Sequence, residues 1–183
     1  MTQKSFFALI GALALAAGTI LWLLGRPAGR GADGPQAPGI AAGALYATAF
    51  TDPEGRPQAL GQFQGRVLVL NFWATWCGPC REEMPAFSRV FARWKDRGVH
   101  FVGVSAEDGA KVSQFGRDLG VTYPLWTGGD QVAELSRRLG NRLGVLPHTV
   151  IVGPSGEILE TRVGPYTEAE LEQRLTAYAV KSS

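Results

Sequence analysis

Val67-Leu68-Val69-Leu70-Asn71-Phe72-Trp73 is a continuous apolar run broken only by Asn71, and it leads straight into Trp76-Cys77-Gly78-Pro79-Cys80. A run of that kind predicts a strand buried on both faces of a sheet. Beyond the cysteines, Met84, Phe87, Val90, Phe91 and Trp94 recur at three- and four-residue spacings, which predicts an amphipathic helix ended by Gly98. Pro85 lies inside that pattern and removes one backbone hydrogen bond, so a bend rather than a break is expected there. The strand is expected to be central to its sheet, with one face of the helix turned to the core.

The same placement sets the chemistry. Cys77 is expected at the helix N-cap, where unpaired backbone N–H groups and the positive end of the helix dipole favour thiolate over thiol. Cys80 falls on the first helical turn beneath it, close enough to close a small disulfide ring and shielded by its neighbours. Cys77 therefore attacks and Cys80 resolves. Gly78 lets the chain turn closely, and Pro79 occupies a position that needs no N–H donor. With no cation between the cysteines to over-stabilise the reduced form, a reducing couple is expected. Spacing alone also fits half of a zinc site or two buried small hydrophobes. These are the only two cysteines, and His100 and His148 are the only histidines. No structural disulfide framework and no four-thiolate zinc site can be built from them.

Phe6 to Leu24 contains no charged residue and is long enough to cross about 30 Å of hydrocarbon as a helix. We read residues 1–25 as a membrane anchor. A cleaved signal peptide is the rival, with Ala12-Leu13-Ala14 and Ala14-Leu15-Ala16 imitating cleavage sites, but the apolar run continues to Trp22 and Leu24. Lys4 on one side and Arg26 and Arg30 on the other leave orientation undecided by charge. Residues 26–43, rich in Gly, Ala and Pro, read as a flexible linker, and residues 44–183 as a single domain. A formal charge of +2 without a Lys/Arg run gives no footprint for nucleic acid.

Within the domain, Leu45 to Phe50 and Arg56 to Leu60 flank Thr51-Asp52-Pro53-Glu54-Gly55 and predict a hairpin guarding a sheet edge. His100 to Ser105 reads as a second buried strand, followed by helical stretches at Lys111 to Leu119 and Gln131 to Leu139, with Val121 to Gly129 irregular between them. Thr149 to Val152 and Ile158 to Val163 form an antiparallel pair across Gly153-Pro154-Ser155-Gly156. Thr167-Glu168-Ala169-Glu170 has the form of a capping box and opens a last helix that turns Leu171, Leu175 and Tyr178 to the sheet.

Asn71-Phe72-Trp73-Ala74-Thr75-Trp76-Cys77-Gly78-Pro79-Cys80-Arg81-Glu82-Glu83-Met84-Pro85 resembles the active-site segment of the TlpA-like and ResA-like branch of the thioredoxin superfamily. The likeness covers roughly Leu45 to Tyr178, including Gly144-Val145-Leu146-Pro147. It implies an α/β thioredoxin fold: a central mixed sheet flanked by helices, with an N-terminal hairpin extension and one preceding transmembrane helix. It also implies an enzyme of the bacterial inner membrane, single-pass, with its domain on the periplasmic or extracytoplasmic side. Such an enzyme reduces disulfides of client proteins, in some relatives during cytochrome c maturation, and is recharged by a membrane thiol-electron transporter. No cofactor and no metal is implied.

The resemblance gives further residues candidate roles. Pro147 matches the family's cis-proline beside the disulfide, with the backbone of Leu146 free to pair with a client strand; an ordinary strand-start proline is the alternative. Glu83 matches a glutamate that exchanges a proton with the buried cysteine, or else is a solvated acid near a helix N-terminus; Glu82 should point elsewhere. Thioredoxins proper carry an aspartate where Asn71 stands, which puts more weight on Glu83. His148 replaces a threonine common in relatives and either tunes Cys77, contacts the client, or is an exposed edge histidine. Trp73 belongs to the core, and Trp76 offers an apolar docking surface. Two other functions compete. A thiol peroxidase needs Thr or Ser where Ala74 stands, and a copper-binding assembly factor would use Cys77, Cys80 and His148, although related carriers space their cysteines by three residues.

Overall fold

The computed structural model describes residues 40–179. The apolar segment expected to enter the membrane and most of the expected linker lie outside those residues. Among the described residues no helix is long and apolar enough to cross a membrane.

Chain order gives α1 (Ala42–Tyr46), β1 (Ala49–Thr51), β2 (Pro57–Ala59), a 3-10 turn (Leu60–Phe63), β3 (Val67–Phe72) and α2 (Gly78–Trp94). Then follow β4 (Val99–Ser105), α3 (Gly109–Asp118), β5 (Leu125–Thr127), α4 (Asp130–Arg138), β6 (His148–Val152), β7 (Ile158–Val163) and α5 (Glu168–Ala179). The strands form one sheet in the order β2-β1-β5-β4-β3-β6-β7. β3, β4 and β5 are parallel, while β6, β7, β1 and β2 run antiparallel to their neighbours. This is the mixed thioredoxin-type sheet that the resemblance implies, with the hairpin β1–β2 at one edge.

Every residue of β3 is buried, as the unbroken apolar run requires. The pleat then divides its side chains. Val67 and Val69 join Met84, Phe87, Val90 and Trp94 of α2, Val112 of α3 and Leu171 and Leu175 of α5 in one core. Leu68, Leu70 and Phe72 join Leu45 of α1 and Val132 and Leu135 of α4 in a second core on the opposite face. Burial of each large side chain is worth about 1.5–3 kcal/mol, so the two cores hold the central strand from both sides.

Two local differences from the sequence reading have physical causes. Residues 42 and 43, expected in the linker, and Leu45 and Tyr46, expected in the first arm of the hairpin, form α1 instead, because Ile40, Ala42 and Leu45 find apolar partners on the second core, and β1 starts only at Ala49. The stretch expected to be irregular contains β5, paired to β4 from Gly103↔Leu125 to Ser105↔Thr127. As expected, Pro85 does not break α2, and Ser88 Oγ donates to the Met84 carbonyl at 3.1 Å.

Gly103 on β4 is required by close approach. A Cβ there would lie 2.7 Å from Leu125 Cδ2, 3.0 Å from Trp73 Nε1 and 3.2 Å from Tyr123 Cε2. Gly103→Ala should therefore overpack the core beside β3 and lower stability by about 1–3 kcal/mol, measured as a lower urea midpoint with an unchanged slope.

Candidate active site

β3 ends beneath the cysteines, and the chain turns from Trp73 to Cys77 before α2 begins. Cys77 is the N-cap, with extended backbone (φ −83°, ψ 105°), and its Sγ accepts the Cys80 N–H at 3.3 Å. Pro79 sits in the first turn, where no donor is lost. Cys77 and Cys80 form a disulfide with an S–S length of 2.07 Å, and both are buried. Trp76, by contrast, stands 73% exposed at the rim. Trp73 is in the core, stacked on Phe115.

The turn itself is held by Glu107, a residue the sequence reading did not single out. Its carboxylate accepts the Thr75 N–H at 2.5 Å and the Thr75 hydroxyl at 2.8 Å, and it pairs with Lys111. The Lys111 ammonium and the Thr75 donors offset burial and hold the Glu107 carboxyl below its ordinary range. Nothing in the spacing signals this contact, since thirty-two residues separate Thr75 from Glu107 and only the parallel pairing of β3 with β4 joins them.

Glu83 is 2% exposed, on the buried face of α2 that also carries Cys80 and Met84. One carboxylate oxygen accepts from Asn71 Nδ2 at 2.8 Å and the other from the Tyr166 N–H at 3.0 Å. The solvated-acid reading is thus corrected, whereas Glu82 is exposed as expected. Burial pushes the Glu83 carboxyl up to about 7, against the opposing pull of those two hydrogen bonds and of the Arg162 charge. Asn71 also donates to Thr149 Oγ1 at 3.0 Å, so β3 and the loop before α5 bond the acid directly and β6 braces it through Asn71. The capping box Thr167–Glu170 fixes the start of α5 and with it the Tyr166 N–H.

The Leu146–Pro147 peptide is cis, Pro147 is buried, and half-buried Leu146 packs on both cores. Beside it Leu143 and Val145 are exposed.

His148 departs from the sequence reading. It is fully buried, with Val150 and Val152 on the face of β6 that meets the second core, and its ring stacks on Phe72 with centroids 5.1 Å apart. Its Nδ1 bonds Ser136 Oγ at 2.9 Å and its Nε2 bonds Thr161 Oγ1 at 2.8 Å. The exposed edge histidine and the direct client contact are both corrected, because a side chain with no accessible surface presents nothing to a partner. The sheet separates this ring from the cysteine pair, so Cys77, Cys80 and His148 do not form a copper set; no metal-binding cluster of His, Cys, Asp or Glu occurs among the described residues.

A redox disulfide at a helix N-cap, an acid buried behind it and a cis-proline loop beside it define a thiol–disulfide exchange site on a thioredoxin fold. The family model described as Redoxin matches residues 34–175, and the chain belongs to that family, within its ResA- and TlpA-like thioredoxin branch. It is a thiol–disulfide oxidoreductase. Among relatives, "Thiol-disulfide oxidoreductase ResA" of Geobacillus kaustophilus is 32% identical over 129 residues, covering 69% of this chain and 71% of that protein. The thioredoxin-related protein of Neisseria meningitidis serogroup B is 32% identical, with TM-score 0.62 over 73% of this chain and 97% of that one. A thioredoxin-family thiol:disulfide interchange protein of Chlorobium tepidum shares the fold at TM-score 0.68 and 24% identity, over 81% of this chain and 99% of that one.

The raised Glu83 pKa carries a sign. The folded protein binds this proton more tightly than the unfolded chain does, so the associated stability is full below the ordinary carboxyl value of 4.5 and is lost as pH rises to about 7. Urea titrations of the oxidised protein should show a loss of about 3 kcal/mol across that window that is absent in Glu83→Gln. Parallel pH profiles of the two proteins would contradict the assignment.

Proposed function

We propose that this enzyme works as a reductase of disulfides in extracytoplasmic proteins, held at the bacterial inner membrane by its N-terminal segment. The single observation that carries the direction of electron flow is the uncharged Gly78-Pro79 between the cysteines, which provides no cation to favour the dithiol over the disulfide. The apolar, charge-free segment 6–24 supports the location.

The cycle begins with the dithiol. Cys77 thiolate attacks one sulfur of a client disulfide, forms a mixed disulfide and expels the first client thiolate. Cys80 then gives its proton to the Glu83 carboxylate and attacks Cys77 Sγ. The Cys77–client bond breaks, the second client sulfur leaves and takes up a proton, and the Cys77–Cys80 disulfide remains. The client gains two electrons and the enzyme loses two. A dithiol of a membrane thiol-electron transporter restores Cys77 and Cys80 by the reverse exchange.

A carboxyl with a pKa of about 7 is matched to this duty, being able both to accept and to return a proton near neutrality. Trp76 and the exposed Leu143 and Val145 offer the client an apolar rim, and the Leu146 backbone before Pro147 offers a hydrogen-bonding edge. Apocytochrome c is one client that the family suggests. Pro147-His148-Thr149 replaces the Pro-Glu-Thr signature of dedicated maturation reductases, so we propose no exclusive role there.

Full-length Cys80→Ser, which cannot resolve, should accumulate mixed disulfides through Cys77 with extracytoplasmic cysteine-bearing proteins, and Cys77 should react with a membrane-impermeant maleimide in intact spheroplasts. Adducts confined to cytosolic proteins would contradict the location. The couple should lie well below about −120 mV, and a potential near that value would contradict the direction. Glu83→Gln should slow exchange at neutral pH by about 100-fold and remove the rate increase centred near 7.

A further inference from the structure

Residues 141–147 connect α4 to β6 and carry the loop beside the disulfide. The loop is fixed from the side facing away from the cysteines. Asn141 Nδ2 donates to the Val145 carbonyl at 2.8 Å and Asn141 Oδ1 accepts the Val145 N–H at 3.1 Å, so the backbone of Val145 decides which end of the amide is which. The second Nδ2 hydrogen goes to Ser136 Oγ at 3.0 Å.

Hydrogen counting sets the direction of the remaining bonds. A hydroxyl has one hydrogen, and Thr161 gives its own to the Leu139 carbonyl at 2.9 Å. Thr161 Oγ1 must then accept from His148 Nε2, so Nε2 carries the ring proton and Nδ1 is bare. Ser136, which accepts from Asn141, donates to that Nδ1. The chain of donors runs from Asn141 to Ser136 to His148 to Thr161 to Leu139 without a conflict. Only a group with one donor and one acceptor fits its centre. Burial, which lowers the His148 pKa to about 4, keeps the ring in that neutral form.

We propose that His148 is a positioning residue for client docking: this one-way relay, running from α4 to β6 and β7 on the second-core face of the sheet, anchors the 141–147 loop at both ends and so holds Val145 and the Leu146 backbone where a client must lie. The inference deepens the reductase reading and rests on clients docking along that loop. The ring touches neither the disulfide nor the client, so its removal should weaken binding and leave the sulfur chemistry intact.

The full chain should be tested on insulin as a protein disulfide, with dithiothreitol as reductant, and, once pre-reduced and freed of dithiothreitol, on 5,5′-dithiobis(2-nitrobenzoate) as a small one. His148→Leu should raise KM for insulin by about tenfold, with kcat and the small-disulfide rate within about twofold of the parent. His148→Gln, which keeps one donor and one acceptor, should recover most of the KM. Ser136→Ala, a smaller change at an earlier link, should move KM in the same direction if His148→Leu fails to fold. Nitrogen-15 spectra should show His148 protonated at Nε2. An unchanged KM in folded His148→Leu, an equal loss on both substrates, or the opposite tautomer would overturn the proposal. Val145→Ser separates the two layers: a raised KM there with none in His148→Leu removes the relay alone, whereas no change in either removes docking along the loop as well.

Discussion

The N-terminus of α2 meets the end of β3 at Cys77, and the rest of the site is arranged around that junction. A helix start leaves backbone N–H groups without partners, and here the Cys77 sulfur accepts the one from Cys80. The junction cannot drift. β3 is clamped between two apolar cores, α2 lies on one of them through Met84, Phe87 and Val90, and Glu107 ties the intervening turn to the end of β4. A sulfur placed at this point in its anionic form faces the positive end of the helix dipole, which is the physical source of the reactivity we propose for it.

In the proposed cycle, position divides the labour between the two buried sulfurs. Cys77 lies next to exposed Trp76, whereas Cys80 is enclosed with Met84, Phe87 and Trp73. A thiol in such surroundings resists ionisation, so the resolving step needs a nearby base. Glu83 occupies the same face of α2, and its two hydrogen bonds come from parts of the chain as distant as Asn71 and Tyr166. These contacts lower its proton affinity while burial raises it, and the balance leaves the acid near neutrality.

Much of this arrangement is legible in the residue order because local signals and tertiary packing agree. The apolar run of β3, the three- and four-residue spacing of α2, Cys77 at the cap and the Thr167–Glu170 box each follow from short-range rules, and each element forms within a few residues of its expected limits. β5 was hidden because three residues between Pro124 and Gly128 are too few for a period to emerge. α1 was hidden because its small residues resemble a linker until Leu45 and Tyr46 find the core. His148 misled for a different reason: a histidine after a proline suggests a loop, yet β6 is buried on both faces and supplies the ring with two hydroxyl partners from α4 and β7. Glu107 carried no signal, since its contact with Thr75 depends on strand pairing alone.

The proposed chemistry of the site comes down to the acidity of one sulfur. Alkylation rates of Cys77 in reduced Cys80→Ser, followed across pH in the full chain, measure it directly. The midpoint should fall clearly below the value of about 8.5 found for a free cysteine. A midpoint at or above that value, with turnover surviving alkylation of Cys77, would contradict the claim that the helix start generates the nucleophile.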